Sequence, residues 1–223
     1  MELTLASKHH LGGNAWEFNL TPAAKLSWQA GQFIKVDLPH KADSGGTERR
    51  FTIAAAPHEG IIRIGTRISR SSFKQALASL EPGAKLKLID EPAGDFTWQA
   101  RVKPHIFLAQ GIGITPFFAI ASHLHHQGTP INARLHFANR PGNGEPFLDK
   151  LQAIAAADPS FVITTHTEPF TPQRLAELEP DLIHRLIYVS GPTSFIRLCA
   201  PPYNVPLDHF KQDNFPNYSN ASY

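Results

Sequence analysis

The chain has 223 residues, of which 42% are hydrophobic and 18% charged, a balance that excludes disorder for its bulk and allows one large or two modest domains. A single cysteine, Cys199, excludes a disulfide framework and any iron–sulfur cluster held within this chain, since such clusters take about four ligands. The formal charge of +2 is too small to argue for nucleic acid, and the twelve histidines raise the isoelectric point without adding charge at neutral pH.

Met1 to His10 shows no cationic stretch followed by a long apolar run, so no signal peptide is expected and a reducing compartment, the cytoplasm, is the default. The first hundred residues then read with a period of two. Trp16, Phe18 and Leu20 alternate with Ala15, Glu17 and Asn19; Ile34, Val36 and Leu38 alternate with Lys35 and Asp37; Leu86 and Leu88 flank Lys87. Turn-rich segments such as Ala42 to Thr47 and Ala56 to Gly60 separate these half-buried antiparallel strands, a rhythm that suits a small barrel or sandwich. One helix interrupts them: Phe73, Ala76, Leu77 and Leu80 stand at helical spacing, Ser71 or Ser72 can cap the start, and Pro82 and Gly83 end it.

After Lys103 strands alternate with helices. The predicted pairs are Ile106 to Gln110 with Pro116 to His126, Ile131 to Asn139 with Phe147 to Ala156, Phe161 to Thr167 with Pro172 to Leu178, and Leu186 to Ser190 with Pro192 to Leu198. Such alternation implies a parallel sheet with helices on its faces. The boundary falls near Ala100 to Pro104, giving domains 1–102 and 103–223. Pro104 to Ala133 carries no Asp, Glu, Lys or Arg and is long enough to span a bilayer. Gln110, Gly111, Gly113 and Pro116 interrupt its middle and three histidines crowd its end, so a buried strand, turn and helix are expected instead.

The sharpest feature is Gln110-Gly111-Ile112-Gly113-Ile114-Thr115-Pro116, between a buried strand and an amphipathic helix. Glycines there let backbone approach a ligand, the helix start offers free N–H groups to phosphate, and Pro116 is pre-organised for the first turn. The third glycine of the usual dinucleotide fingerprint is missing, and a plain tight turn is the alternative. Ser190-Gly191-Pro192 repeats the same strand-to-helix geometry, and two such turns at neighbouring parallel strands would line one crevice. In the first half, Arg49-Arg50-Phe51-Thr52-Ile53-Ala54 puts cations, an aromatic ring and a hydroxyl on one strand, suited to a pyrophosphate and a flat ring system; taken in isolation, the segment reads as an edge strand with solvated arginines. His123, His125 and His126, at i, i+2 and i+3, do not share one helix face, so no metal site is expected. Cys199 follows the apolar Phe195, Ile196 and Leu198 and reads as a buried, inert thiol. Arg140, just after a strand, reads either as a partner for a 2′-phosphate or as a surface arginine.

In order along nearly the whole chain, seven segments resemble the ferredoxin-NADP reductase superfamily of flavoprotein oxidoreductases. Gly31-Gln32-Phe33 resembles its Gly-Gln-Phe strand entry, and Arg49-Arg50-Phe51-Thr52 its Arg-x-Tyr-Ser flavin motif. Arg67 to Phe73 resembles its pyrophosphate turn, with Ser71 at the family serine, and Pro92 to Phe96 its Pro-x-Gly-x-Phe segment. Gly111 to Pro116 is similar to Gly-x-Gly-Ile-Thr-Pro, Ser190-Gly191-Pro192 to Cys-Gly-Pro, and Asp213 to Tyr218 to the Glu-x-Phe-x-Gly-Tyr ending. The chain departs from the pattern at Phe51 for tyrosine, Ser190 for cysteine, Asp213 for glutamate, Asn217 for glycine, and in the spacing from Gly65 to Ser71.

The resemblance implies a six-stranded antiparallel β-barrel that binds flavin, FAD or alternatively FMN, followed by an α/β parallel-sheet domain that binds NAD(P)H. It implies hydride transfer from nicotinamide C4 to flavin N5 and release of electrons to a separate carrier such as ferredoxin or flavodoxin. By the same resemblance Arg49, Arg67 and Ser71 meet the flavin pyrophosphate, Phe51 packs on the isoalloxazine, the Thr52 hydroxyl hydrogen-bonds near flavin N5, and Ile53 is a further cofactor-binding residue. Gly111, Gly113, Thr115, Pro116, Gly191 and Pro192 serve the nicotinamide side and Tyr218 the cofactor. Thr52, Ser190 and Asp213 are the expected catalytic residues. Lys35, Arg49, Arg50, Arg70 and Lys74 are expected to offer an acidic carrier a local positive surface. Two other readings are a reductase of free flavin or quinone and an inactive nucleotide-binding electron-transfer subunit.

Overall fold

The computed structural model describes residues 1–101, 104–167, 170–199 and 206–213. The alternating segments of the first half form β1 (Glu2–His10), β2 (Ala15–Pro22), β3 (Phe33–Asp37), β4 (Glu48–Thr52), β5 (Ile62–Arg67) and β6 (Lys85–Leu88). They make one antiparallel sheet in the order β4-β3-β6-β1-β2-β5. Just past β4, Ile53 bridges Ile64 of β5 and the Ala54 N–H donates to the Arg63 carbonyl at 2.8 Å, so the two edge strands meet and the sheet curls into a barrel. The period-two residues fill it: Leu3, Leu5, Phe18, Leu20, Ile34, Val36, Ile62, Ile64, Leu86 and Leu88 share one buried cluster. Helix α1 (Ser72–Ser79) closes one end by pressing Phe73 and Leu77 into the same core.

The second half forms β7 (His105–Gln110), β8 (Ala133–Ala138), β9 (Phe161–His166), β10 (Ile187–Ser190) and β11 (Phe210–Gln212), all pairs parallel, in the order β11-β10-β7-β8-β9. Between them run α2 (Thr115–His126), α3 (Leu148–Ala157), α4 (Pro172–Leu178) and α5 (Thr193–Cys199). Strand residues alternate between two apolar layers. Phe107, Leu135 and Tyr188 pack with α2 and α3, whereas Ile106, Leu108, Ile187 and Val189 pack with α4 and α5. The charge-free stretch becomes β7, a short 3-10 turn and α2, and among the described residues no helix is long and apolar enough to cross a membrane. Cys199 is buried, and burial pushes its thiol up to about 12. Strand β11 has no signal in the sequence, because three residues show no period and only pairing with β10 defines it.

Phe96 joins the halves. Its ring meets Phe117 of α2 at 5.6 Å and Tyr188 of β10 edge-on at 5.1 Å, and the Tyr188 hydroxyl donates to the Thr97 carbonyl at 2.9 Å. Ala30 and Ala54 from the barrel lie in the same cluster. Gly31, at φ +97°, must be glycine, because a Cβ there would overlap the Phe96 carbonyl. Replacing Phe96 by alanine is expected to cost about 3–5 kcal/mol, measured by denaturant unfolding, and a loss below about 1 kcal/mol would show that the seam contributes little.

Candidate functional site

The chain leaves β7 toward β8 and β9 and returns on the opposite side as β10 and β11. The carboxyl ends of β7 and β10 therefore open onto a switch-point crevice. Strand β7 runs into the turn Gly111–Ile114 and then α2, whose first turn holds the buried Thr115 and Pro116. Gly111 has φ +55°, in the left-handed region that favours glycine. At Gly113 the reason is proximity: an added Cβ would strike the backbone of Ser190 and Gly191, so the two turns touch only because this residue has no side chain. On the barrel side, a Cβ on Gly65 of β5 would come within 2.8 Å of the Thr115 methyl and 2.9 Å of the Phe147 ring. The Gly65 contact thus brings the barrel against the parallel-sheet half, and the Gly113 contact brings two turns of that half together, around one cleft.

Three polar side chains from three elements converge in that cleft. The Thr52 hydroxyl, at the end of β4, donates to Asp213 Oδ2 at 2.9 Å, and the Ser190 hydroxyl, at the end of β10, donates to the same oxygen at 3.0 Å. Asp213 follows β11 and is positioned by its own N–H, which donates to the Val189 carbonyl at 2.9 Å. Burial pushes its carboxyl up to about 6, while the two hydroxyls pull the other way by stabilising the anion. The group therefore changes charge just below neutral pH.

Cations surround this triad. Lys74 of α1 lines the cleft with only 3% of its surface exposed; burial, reinforced by the charges of Arg49 and Arg67, lowers its ammonium to about 8. Arg67, at the end of β5, reaches across to the second half, donating to the Asn143 carbonyl at 2.6 Å and to Asn139 Oδ1 at 3.3 Å. It thereby borders a second, open recess at the carboxyl end of the parallel sheet, lined also by Gly111, Asn139, Arg140, Pro192 and Ser194.

Of the residues expected from sequence, Phe51, Thr52, Arg67, Gly113, Thr115, Ser190 and Asp213 line the cleft, and Arg67, Gly111, Arg140 and Pro192 line the recess. Gly191 forms the turn between them. Pro116 is buried in the first turn of α2 and Ile53 in the barrel core, so neither side chain lines either space. Phe51 is largely sunk in the same core against Phe73. Arg49 lies outside the cleft lining and donates to Ser71 Oγ at 3.3 Å. Tyr218 lies outside the described residues.

The expected positive docking surface needs correction. Lys74 is buried, the Arg49 side chain is 9% exposed, Lys35 pairs with Glu48, and Arg70 alone of the five is exposed. The reason is that the barrel end and α1 turn these cations inward. Sequence reasoning missed Lys74 as a site residue, since a lysine beside the apolar face of a helix carries no sign of burial. It also missed Asn139 and Asn143, whose signal was their place directly after a parallel strand. Among the histidines, His126 stacks on His58 at 3.7 Å across the seam.

No family model matches the chain. A flavohemoprotein of Burkholderia sp. (strain TH2) is 28% identical over 200 residues, covering 81% of this chain and 49% of that protein. Phthalate dioxygenase reductase of Burkholderia cepacia is 27% identical over 165 residues, covering 68% of this chain and 47% of its own length. A solved structure described as a modular structure for electron transfer from pyridine nucleotides to 2Fe–2S, also phthalate dioxygenase reductase, matches with a TM-score of 0.74 at 21% identity, covering 96% and 67% of the two chains. The FAD/NAD-binding domain of nitric oxide dioxygenase from Vibrio cholerae O1 biovar El Tor matches with a TM-score of 0.80 at 21% identity, covering 96% of this chain and 98% of that one. Ferredoxin–NADP reductases stand among the other matches. The chain spans about half the length of the first curated relatives it matches.

The raised carboxyl gives the site a pH signature. A folded-state pKa above the unfolded value contributes stability below about pH 4 that is lost as pH rises through about 6. Asp213→Asn lacks this dependence, so it is expected to gain on the wild type between pH 4 and 7 by on the order of 2–3 kcal/mol, read from denaturant midpoints at each pH. Parallel pH profiles for the two proteins would show that Asp213 is not desolvated.

Proposed function

We propose that this chain, whose homologues and structural neighbours are ferredoxin-NADP reductase-like flavoprotein reductases, passes reducing equivalents from NAD(P)H through a flavin to an acceptor outside these 223 residues. The observation that carries the reading is the convergence of Thr52, Ser190 and Asp213 where the barrel meets the switch point of the parallel sheet. When bound, the flavin accepts a hydride, two electrons and a proton, from the reduced nicotinamide and releases the electrons to the acceptor.

The residues fit such a ligand pair. Lys74 and Arg67 make a partly desolvated cationic wall, which favours an anionic cofactor; burial first, and then the charges of Arg49 and Arg67, lowers the Lys74 ammonium. Thr52 and the part of Phe51 that lines the cleft would hold the flavin, FAD or FMN. Gly111, Arg67, Asn139, Arg140 and Pro192 would hold the dinucleotide at the strand ends, where glycine backbone and a helix start suit phosphate. As a carboxylate, Asp213 accepts a hydrogen bond from each hydroxyl, so Thr52 and Ser190 turn lone pairs toward the cleft. Once protonated, Asp213 holds a proton of its own at Oδ and frees a hydroxyl proton at Thr52 or Ser190. The site thus presents acceptors above about pH 6 and a donor below it.

The named relatives support a haem or iron–sulfur acceptor, and ferredoxin or flavodoxin is the carrier we propose. The single cysteine leaves the cluster to another protein or segment.

Anaerobic stopped-flow mixing of the flavin-loaded chain with NADH or NADPH tests the reading, with bleaching of the flavin band as the expected result. Thr115→Ala, which removes the hydroxyl donating to the Ile112 carbonyl and the methyl against Gly65, is expected to slow bleaching about tenfold while flavin stays bound. Bleaching at the wild-type rate would remove this turn from the site, and a chain that binds no flavin would overturn the proposal.

A further inference from the structure

Helix α1 begins at Ser72, yet the side chain of its N-cap residue, Ser71, makes no capping hydrogen bond. The cap comes from a loop about thirty residues earlier. Asp43 Oδ2 accepts from the Ser72 N–H at 2.8 Å, and the Asp43 N–H donates to Ser72 Oγ at 2.9 Å. The other carboxylate oxygen accepts from the Gly45 N–H at 2.8 Å and stands 3.7 Å from Arg49 Nη2. Arg49 is wrapped by the same loop: Nη1 donates to the carbonyls of Gly45 at 2.7 Å, Gly46 at 3.1 Å and Glu48 at 2.8 Å. His40 Nε2 lies 3.0 Å from Ser72 Oγ and fastens the loop from its other end. A Cβ on Gly45 would press on the Arg49 guanidinium and displace it from the loop.

A first helical turn, two serine hydroxyls and a guanidinium are the donors a phosphate ester uses. Here the Asp43 carboxylate already takes the Ser72 N–H and faces Arg49, whose guanidinium is otherwise occupied by three loop carbonyls and Ser71 Oγ. The backbone N–H groups of Ser72 and Gly45 hold Asp43 below the usual carboxylate range, so it is charged at neutral pH. A phosphorylated flavin would first have to expel this carboxylate and reopen the loop. Riboflavin has nothing to expel.

Resting on the flavin reading above, we propose that Asp43 is a specificity determinant of the flavin site: its carboxylate fills the phosphate cradle of Arg49 and α1, so the chain takes flavin by its ring, exchangeably and without preference for phosphorylated forms. The flavin is then bound like a substrate. It can leave reduced and carry electrons itself.

Riboflavin, FMN and FAD, each titrated into the wild-type chain and into Asp43→Asn with quenching of flavin fluorescence as readout, test the proposal. In the wild type the dissociation constants of riboflavin and FMN are expected to agree within about threefold. Asp43→Asn keeps an oxygen for the Ser72 N–H and removes the charge; it is expected to tighten FMN and FAD about tenfold and leave riboflavin unmoved. Asp43→Ser, which retains a capping hydroxyl, is expected to give the same pattern if the asparagine variant folds poorly. FMN binding tenfold or more above riboflavin in the wild type, or variants that shift all three flavins equally or not at all, would overturn the role of Asp43. Failure of every flavin to bind the wild type would instead overturn the flavin reading, and this proposal with it.

Discussion

Two glycines hold the molecule's working parts within reach of one another. Gly65 lets a barrel strand lie against the Thr115 methyl and the Phe147 ring, and Gly113 lets the turn after β7 lie on the turn after β10. Close packing leaves no slack at such contacts, so even one methyl at Gly113 would meet backbone rather than a movable side chain. Because both contacts hold, the ends of β4, β10 and β11 come together and the Thr52 and Ser190 hydroxyls share a single oxygen of Asp213.

The cleft so formed is electrostatically unusual for a molecule with a formal charge of only +2. Lys74 is nearly fully buried and Arg67 is more than half-buried, while Asp213 is desolvated enough to rise to about 6. Burial is the chief cause of both shifts, each favouring the neutral form of its group. The same inward turn of the cations removes them from the outer surface. Steering of an acidic partner by these residues is correspondingly weak, and Arg70 is the exposed cation that remains of the set.

Asp43 adds a second use of charge. Within the barrel end an acid caps a helix it does not belong to and neutralises the arginine beside it, which stabilises the loop and fills an anion site at once. One side chain thus links the local stability of residues 40–49 to which ligands the site admits.

The order of elements was legible in the sequence because their periods are local: alternation in Ile34, Val36 and Leu38, helical spacing in Phe73, Ala76 and Leu77, and the strand–helix rhythm after Lys103. The glycine turns at Gly111 to Gly113 and Ser190-Gly191-Pro192 were legible for the same reason, each lying between a strand and a helix. The resemblance placed Thr52, Ser190 and Asp213 in one functional set, but their meeting depends on β10 pairing with β7 and β11 with β10, and β11 has no pattern of its own. Burial of Lys74, the inward Arg49 and the reach of Asp43 to Ser72 joined residues whose neighbours are set by packing across the chain. Sequence spacing reports which faces are apolar; which charges those faces trap, and against what partner, is decided only when distant strands and helices close on one another.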